Sequence, residues 1–192
     1  EQMAQQQQMD YLGSSFALDH SVAPFWQSLA FRLIHIGLGK GKSTGRQTVA
    51  LIKSFRTEVD DILATSELRL KNYLPVWLLT YCNSLYWLDV LALIRLLNIR
   101  YEFTAQDEDE ITAFATGYRG LELSQGVLQW LLLSHIGRTE RLADGSVRLC
   151  IEKILLNKDW QELGWYGANV GKKEMLRQIR SAVLEINEQR TL

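Results

Sequence analysis

"HIGLGKGKSTGRQTVALIKSF", His35 to Phe55, decides how the first third of this chain folds. Its centre, "GKGKST", has the flavour of a phosphate-binding loop. That loop needs a glycine, four residues, a second glycine, then lysine and serine or threonine, between a strand and a helix. Gly37 and Gly41 leave three residues between them, and counting back to the correct length lands on Ile36, which is not glycine. The context fails as well. "FRLIHIG", Phe31 to Gly37, reads as a strand, and "QTVALIKSF", Gln47 to Phe55, reads as another because Val49, Leu51 and Phe55 alternate with more polar positions. No helix N-terminus follows to hold a phosphate. The stretch therefore predicts a hairpin with a long, basic, glycine-rich connection.

Outward from this hairpin, the chain is long enough for one or two small domains with a real core. A hydrophobic content of 47% excludes general disorder. The formal net charge is −1, unevenly spread: residues 1–56 carry six Lys/Arg against three Asp/Glu, residues 57–136 five against eleven, and residues 137–192 ten against eight. Two mildly basic ends flank an acidic middle. This is not the profile of a protein coated in nucleic acid, although the two ends could form one basic face after folding. Cys82 and Cys150 are far apart, and no Cys/His spacing suggests zinc, so no metal site is expected. Reduced core cysteines fit a cytoplasmic setting. The apolar run from Tyr73 to Tyr101 is interrupted by Asn83, Asp89 and Arg95, which argues for buried helices rather than a membrane span. The chain opens on Glu1 and a glutamine run, the expected look of a piece of something longer.

Residues 1–9 read as the end of a helix, and "DYLGSSF" as a strand. Asp19 or Ser21 is placed to cap a short helix from Val22 to Leu29, with Pro24 in its first turn. After Phe55 the texture becomes helical. Val59, Ile62 and Leu63 have helical spacing, and Asn72 with Pro75 marks a further helix start. Thr104 before four acids is an N-cap candidate, as is Ser124 before "QGVLQWLLLSHI". "GSVRLCIEKILLN" is a further helix, and Met175, Ile179, Val183 and Ile186 stripe a closing one. The expectation is α+β: about three strands with a helix in residues 1–55, then an all-α region of about six helices over residues 56–192.

"VAPFWQSLAF" resembles the end of the GNAT acetyltransferase fold. The order "DYLGSSF", "FWQSLAF", basic loop, "STGRQTVALIKSF" resembles more specifically the tRNA(Met) cytidine acetyltransferase family, whose pattern is D-Y-L-G-x-S-F, F-W-x-x-x-G-F, S-G-x-x-S/T-A-x-x-L. "DEDEITAFATGYRGLE" and "KDWQELGWYGANVGKKEMLRQIRSAV" look like that family's bacterial C-terminal region. The resemblance implies the last part of a GNAT domain and a helical tRNA-binding tail. The family acetylates the wobble cytidine of elongator tRNA(Met) with acetyl-CoA and ATP. Its ATPase domain and acetyl-CoA loop would lie outside this chain, which alone should be inactive. An incomplete sheet with an open strand edge would also invite self-association.

The candidate residues follow, with no catalytic residue identified. Phe25 and Trp26 lie on the helix that flanks the GNAT cofactor cleft, so the resemblance makes them acetyl-CoA contacts; core packing is the other reading. Ser21 and Ser28 stand where the family has charged cofactor contacts, which therefore do not carry over. His35 could serve as acid or base but has no evident partner, so a structural role is the simpler reading. Lys40, Lys42 and Arg46 crowd the glycine-rich loop. Lys172, Lys173, Arg177 and Arg180 begin the last helix, and Arg138, Arg141 and Arg148 could extend that patch. By spacing alone these are phosphate contacts or solvated faces. The resemblance turns them toward the tRNA backbone. Neither DNA nor a membrane is an expected partner.

Overall fold

The computed structural model describes residues 9–41, 44–138, 143–167 and 170–191. Of the helix end expected over residues 1–9, all but Met9, which is not helical, lies outside them, as do the candidates Lys42 and Arg141. The elements run β1 (Tyr11–Ala17), α1 (Ala23–Ser28), β2 (Arg32–Lys40), β3 (Gln47–Ser54), α2 (Thr57–Thr80), α3 (Trp87–Leu97), α4 (Ala105–Ala115), α5 (Leu121–His135), α6 (Asp144–Cys150) and α7 (Lys172–Thr191). The fold is α+β, as the patterning predicts.

The three strands form an antiparallel sheet in the order β1-β3-β2. The glycine-rich stretch is the β2–β3 hairpin, with Lys40 opposite Gln47. Val49 and Leu51 of β3 are fully buried on one face, as are Leu33 and Ile36 of β2. Strict alternation from Leu33 would turn His35 inward. Instead, the register shifts between Leu33 and His35, and Ile36 takes the inward place while His35 is exposed. A bulge reverses which face the following side chains reach.

α1 starts without a side-chain cap, against the expectation for Asp19 or Ser21. Asp19 is engaged elsewhere: it accepts from the backbone N–H and hydroxyl of Ser21 and from Arg46. The turn that leaves α1 holds Ala30 at φ +59°, a left-handed conformation that favours glycine. In the F-W-x-x-x-G-F pattern this is the glycine position.

α2 lies against the sheet through Leu63, Leu70, Leu74 and Leu78. It continues through Pro75 rather than starting there. A proline inside a helix costs about 3 kcal/mol through one lost hydrogen bond and a steric clash. Burial of Pro75 itself and of leucines on either side of it offsets that cost. Arg32 on β2 clamps α2 with two bonds to Glu67, at 2.8 and 3.0 Å.

Thr104 caps α4 as expected: its hydroxyl accepts from the Asp107 N–H, and the Asp107 carboxylate accepts from the Thr104 N–H. Ser124 does not cap α5, which begins earlier at Leu121; its hydroxyl donates back to the Gly120 carbonyl at 3.0 Å. α6 widens after Cys150 into a π-helical segment, Ile151–Leu155, whose five residues are all buried. The stripe of α7 is buried throughout. Sheet and helical side chains join one contiguous core, from Leu18 and Val49 to Ile186. No helix among the described residues is long and apolar enough to cross a membrane.

Candidate nucleic-acid interface

α7 begins just after Gly171 and places Lys172 and Lys173 in its first turn, both exposed. Lys172 Nζ lies 5.4 Å from the centre of the Trp160 ring, and Lys153 Nζ lies 4.8 Å from the same ring. Burial pushes the Lys153 ammonium pKa below its ordinary value, although nearby Asp159 opposes the shift. The exposed lysines and the helix N-terminus make an anion-attracting surface, and the Trp160 ring holds the Lys172 ammonium beside it.

Three arginines assigned to this patch by spacing have other work. Arg177 holds Glu174 with two bonds at 2.6 and 2.7 Å, and that contact holds the Glu174 carboxyl down at about 2. Arg180 reaches toward the Phe114 ring at 5.5 Å and donates to the Arg119 carbonyl at 3.4 Å. Arg148 lies flat on Trp165 at 3.6 Å and pairs with the buried Glu152. A cation already paired has less to offer a phosphate, although the Arg177–Glu174 pair is itself exposed.

The hairpin contributes Lys40, exposed at the end of β2. Arg46 is tied to the β1–α1 turn through Asp19 at 2.5 Å and the Leu18 carbonyl at 3.3 Å. Arg138 sits at the turn after α5, exposed, and bonds the Asn98 side chain. The structure thus sets the exposed basic candidates in three places, the hairpin tip, the turn after α5 and the first turns of α7, with Arg148 apart on α6.

The two aromatic candidates separate. Trp26 is half-buried, stacked on Phe16 at 5.2 Å and edge-on to Phe31 at 4.8 Å. Phe25 is 58% exposed. The first joins the sheet to α1; the second is open to a neighbour.

One pairing escaped the sequence. Asp89, in the first turn of α3, is buried, and its carboxylate accepts from the His20 backbone N–H at 2.8 Å and faces His20 Nδ1 at 2.9 Å. A lone acid in an apolar run signals a buried partner. That the partner is His20, 69 positions away, only folding reveals. Asp19 completes a trio whose ligand atoms lie within 4.8 Å of one another. Asp19 is already spent on Ser21 and Arg46, and a guanidinium at that place opposes a cation.

No protein-family model matches the chain. Two relatives do. The tRNA(Met) cytidine acetyltransferase TmcA of Yersinia pestis is 32% identical over 137 residues, which is 68% of this chain and 18% of that protein. The protein of the same name in Nitrosococcus halophilus is 23% identical over 177 residues, 90% of this chain and 24% of the relative. The chain therefore spans less than a quarter of the length of either relative. By sequence over most of its length, this chain belongs with the tRNA(Met) cytidine acetyltransferases, of which it corresponds to a minor part.

Proposed function

We propose that this chain is the C-terminal portion of an RNA acetyltransferase, completing its GNAT sheet with residues 1–55 and docking tRNA with the helical residues 56–192. The whole enzyme would form N4-acetylcytidine at the wobble position of elongator tRNA(Met) in the cytoplasm, using acetyl-CoA and ATP bound mainly by parts outside this chain. Phe25 is the residue here best exposed to meet the cofactor. The observation that carries the docking reading is the exposed Lys172–Lys173 pair at the head of α7, beside Trp160. Lys40 and Arg138 would add backbone contacts, which position RNA without reading its sequence.

The test is tRNA binding by the whole enzyme across a salt series. Reversing Lys172 and Lys173 to Glu weakens binding and lowers the salt slope by about 1 per lysine. Unchanged binding and unchanged acetylation would remove α7 from the interface. A second reading, a protein-interaction domain within a larger chain, draws support from Ile62, Tyr73 and Val76, all exposed on α2. It predicts tRNA binding indifferent to every basic substitution.

A further inference from the structure

A cleft lies between α1, the end of α3 and the turn after α5, and encloses about 310 Å3. Its rim carries Arg95 and Arg138, both exposed, with Gln27, Asn98 and Ser134 as neutral polar neighbours. No carboxylate among the described residues lines it. Most other described arginines are neutralised: Arg32, Arg119, Arg148, Arg177 and Arg190 each rest on a carboxylate. Arg95 and Arg138 are held by uncharged acceptors instead. Arg95 Nε donates to the Gly137 carbonyl at 3.3 Å, and Arg138 donates to the Asn98 side-chain oxygen. Each is oriented through one donor and keeps the rest of its fork and its full charge.

Gly137 makes this arrangement possible. A Cβ there would come within 3.2 Å of Arg95 Cγ and 3.3 Å of Ile94 Cγ2, so the bare backbone lets the Arg95 stem lie across the turn. The positive field also registers on His135 next door, whose imidazole pKa is pushed down by burial first, then by Arg190, with Arg138 adding to it. The floor is apolar, from Ile94, Ile99 and Leu133, but no aromatic ring among the described residues lines the cleft. Without a ring a base has nothing to stack on. Two guanidinium forks without a stacking platform suit a phosphate.

We propose that this cleft is a phosphate seat, in which Arg95 and Arg138 together grip a phosphodiester of the RNA backbone. This rests on the docking reading above and adds a second anchor to it, away from the lysines of α7. Because Gln27 belongs to α1, the seat spans the sheet-side helix and the helical region, and would fix the RNA relative to both.

The test is anisotropy of fluorescently labelled tRNA with the whole enzyme, in R95Q/R138Q, with the K172E/K173E variant alongside. Loss of the grip on this phosphate weakens binding about 5-fold at 0.15 M salt and lowers the log–log salt slope by about 0.8. R95K/R138K keeps the charge but not the fork, so it retains the slope while losing affinity; it also decides the matter should the glutamine variant melt early. An unchanged slope and affinity in the arginine variants, with K172E/K173E still weakened, overturns the seat and leaves the docking reading intact. Neutral results in both pairs overturn both. Coenzyme A binding, measured by calorimetry in the same variants, is the arm for the other phosphate source: a loss confined to coenzyme A overturns the RNA assignment.

Discussion

Glu152 should be among the most costly polar side chains to remove from this fold. It is 3% exposed in the π-helical segment after α6. One carboxylate oxygen accepts from Trp165 Nε1 at 2.6 Å; the other accepts from Arg148 Nε at 3.1 Å and lies 3.8 Å from Lys158 Nζ. Arg148 in turn covers the Trp165 ring. In Glu152→Ala the indole N–H loses a charged acceptor, worth about 1.5–3 kcal/mol. The two cations are part-exposed and partly screened, so their loss adds about 1 kcal/mol. A total of about 3 kcal/mol lowers the melting temperature of a 192-residue chain by roughly 6–12 °C. Glu152→Gln keeps an acceptor for Trp165 and should lose about half as much. Trp165→Phe keeps the ring under Arg148 but removes the N–H. A double-mutant cycle of Glu152→Ala with Trp165→Phe, followed by calorimetry or denaturant melts, should give a coupling of about 1.5 kcal/mol. A shift below about 2 °C for Glu152→Ala, or zero coupling, would refute the reasoning.

Thr104→Ala dismantles the capping box of α4 and should cost about 1 kcal/mol in denaturant titration; Thr104→Ser should restore most of it. Ala30→Gly relieves the left-handed strain after α1, and after the added freedom of the unfolded chain the net gain is about 0.5 kcal/mol; a loss of stability would show that the turn is not strained. His135 has a folded pKa below its ordinary 6.5, so below that pH the unfolded chain takes up a proton the native state refuses. Stability should therefore fall as pH drops from 6.5 through the lower native value, before the carboxylates titrate, and His135→Gln should flatten that part of the curve. Burial pushes the Cys150 thiol up to about 12, so it should react with a thiol reagent at pH 8 only when the chain unfolds; rapid labelling of the native protein would contradict this.

Much of the fold was legible because its signals are local. The hairpin showed itself in two branched, apolar runs around a glycine-rich connection, and α7 in a stripe that is buried at every position named. Local rules failed where tertiary packing outweighed them. The His35 bulge defeats simple alternation, Pro75 rides inside a helix because its surroundings are apolar, and Ser124 bonds backward within α5 instead of capping it. The candidate site was legible only as a set of cations. Spacing placed Arg177 and Arg180 with Lys172 and Lys173, but Glu174 pairs the first at the surface and Phe114 lies by the second, and Arg95 counted only as a charge that interrupts an apolar run.

The sequence by itself determined the elements, their class and the kinship, since periodicity, caps and short motifs are written over a few neighbouring residues. Tertiary structure alone decided which charges face water and which are spent inside. Pairing depends on distance across the fold, and His20 with Asp89, or Arg95 beside Arg138, are neighbours only after the chain has closed. "GLGKGKSTGRQTV" carries both lessons: its strand context was readable in one dimension, while Arg46 proved to be tied to Asp19, 27 residues away, because β1 lies beside β3.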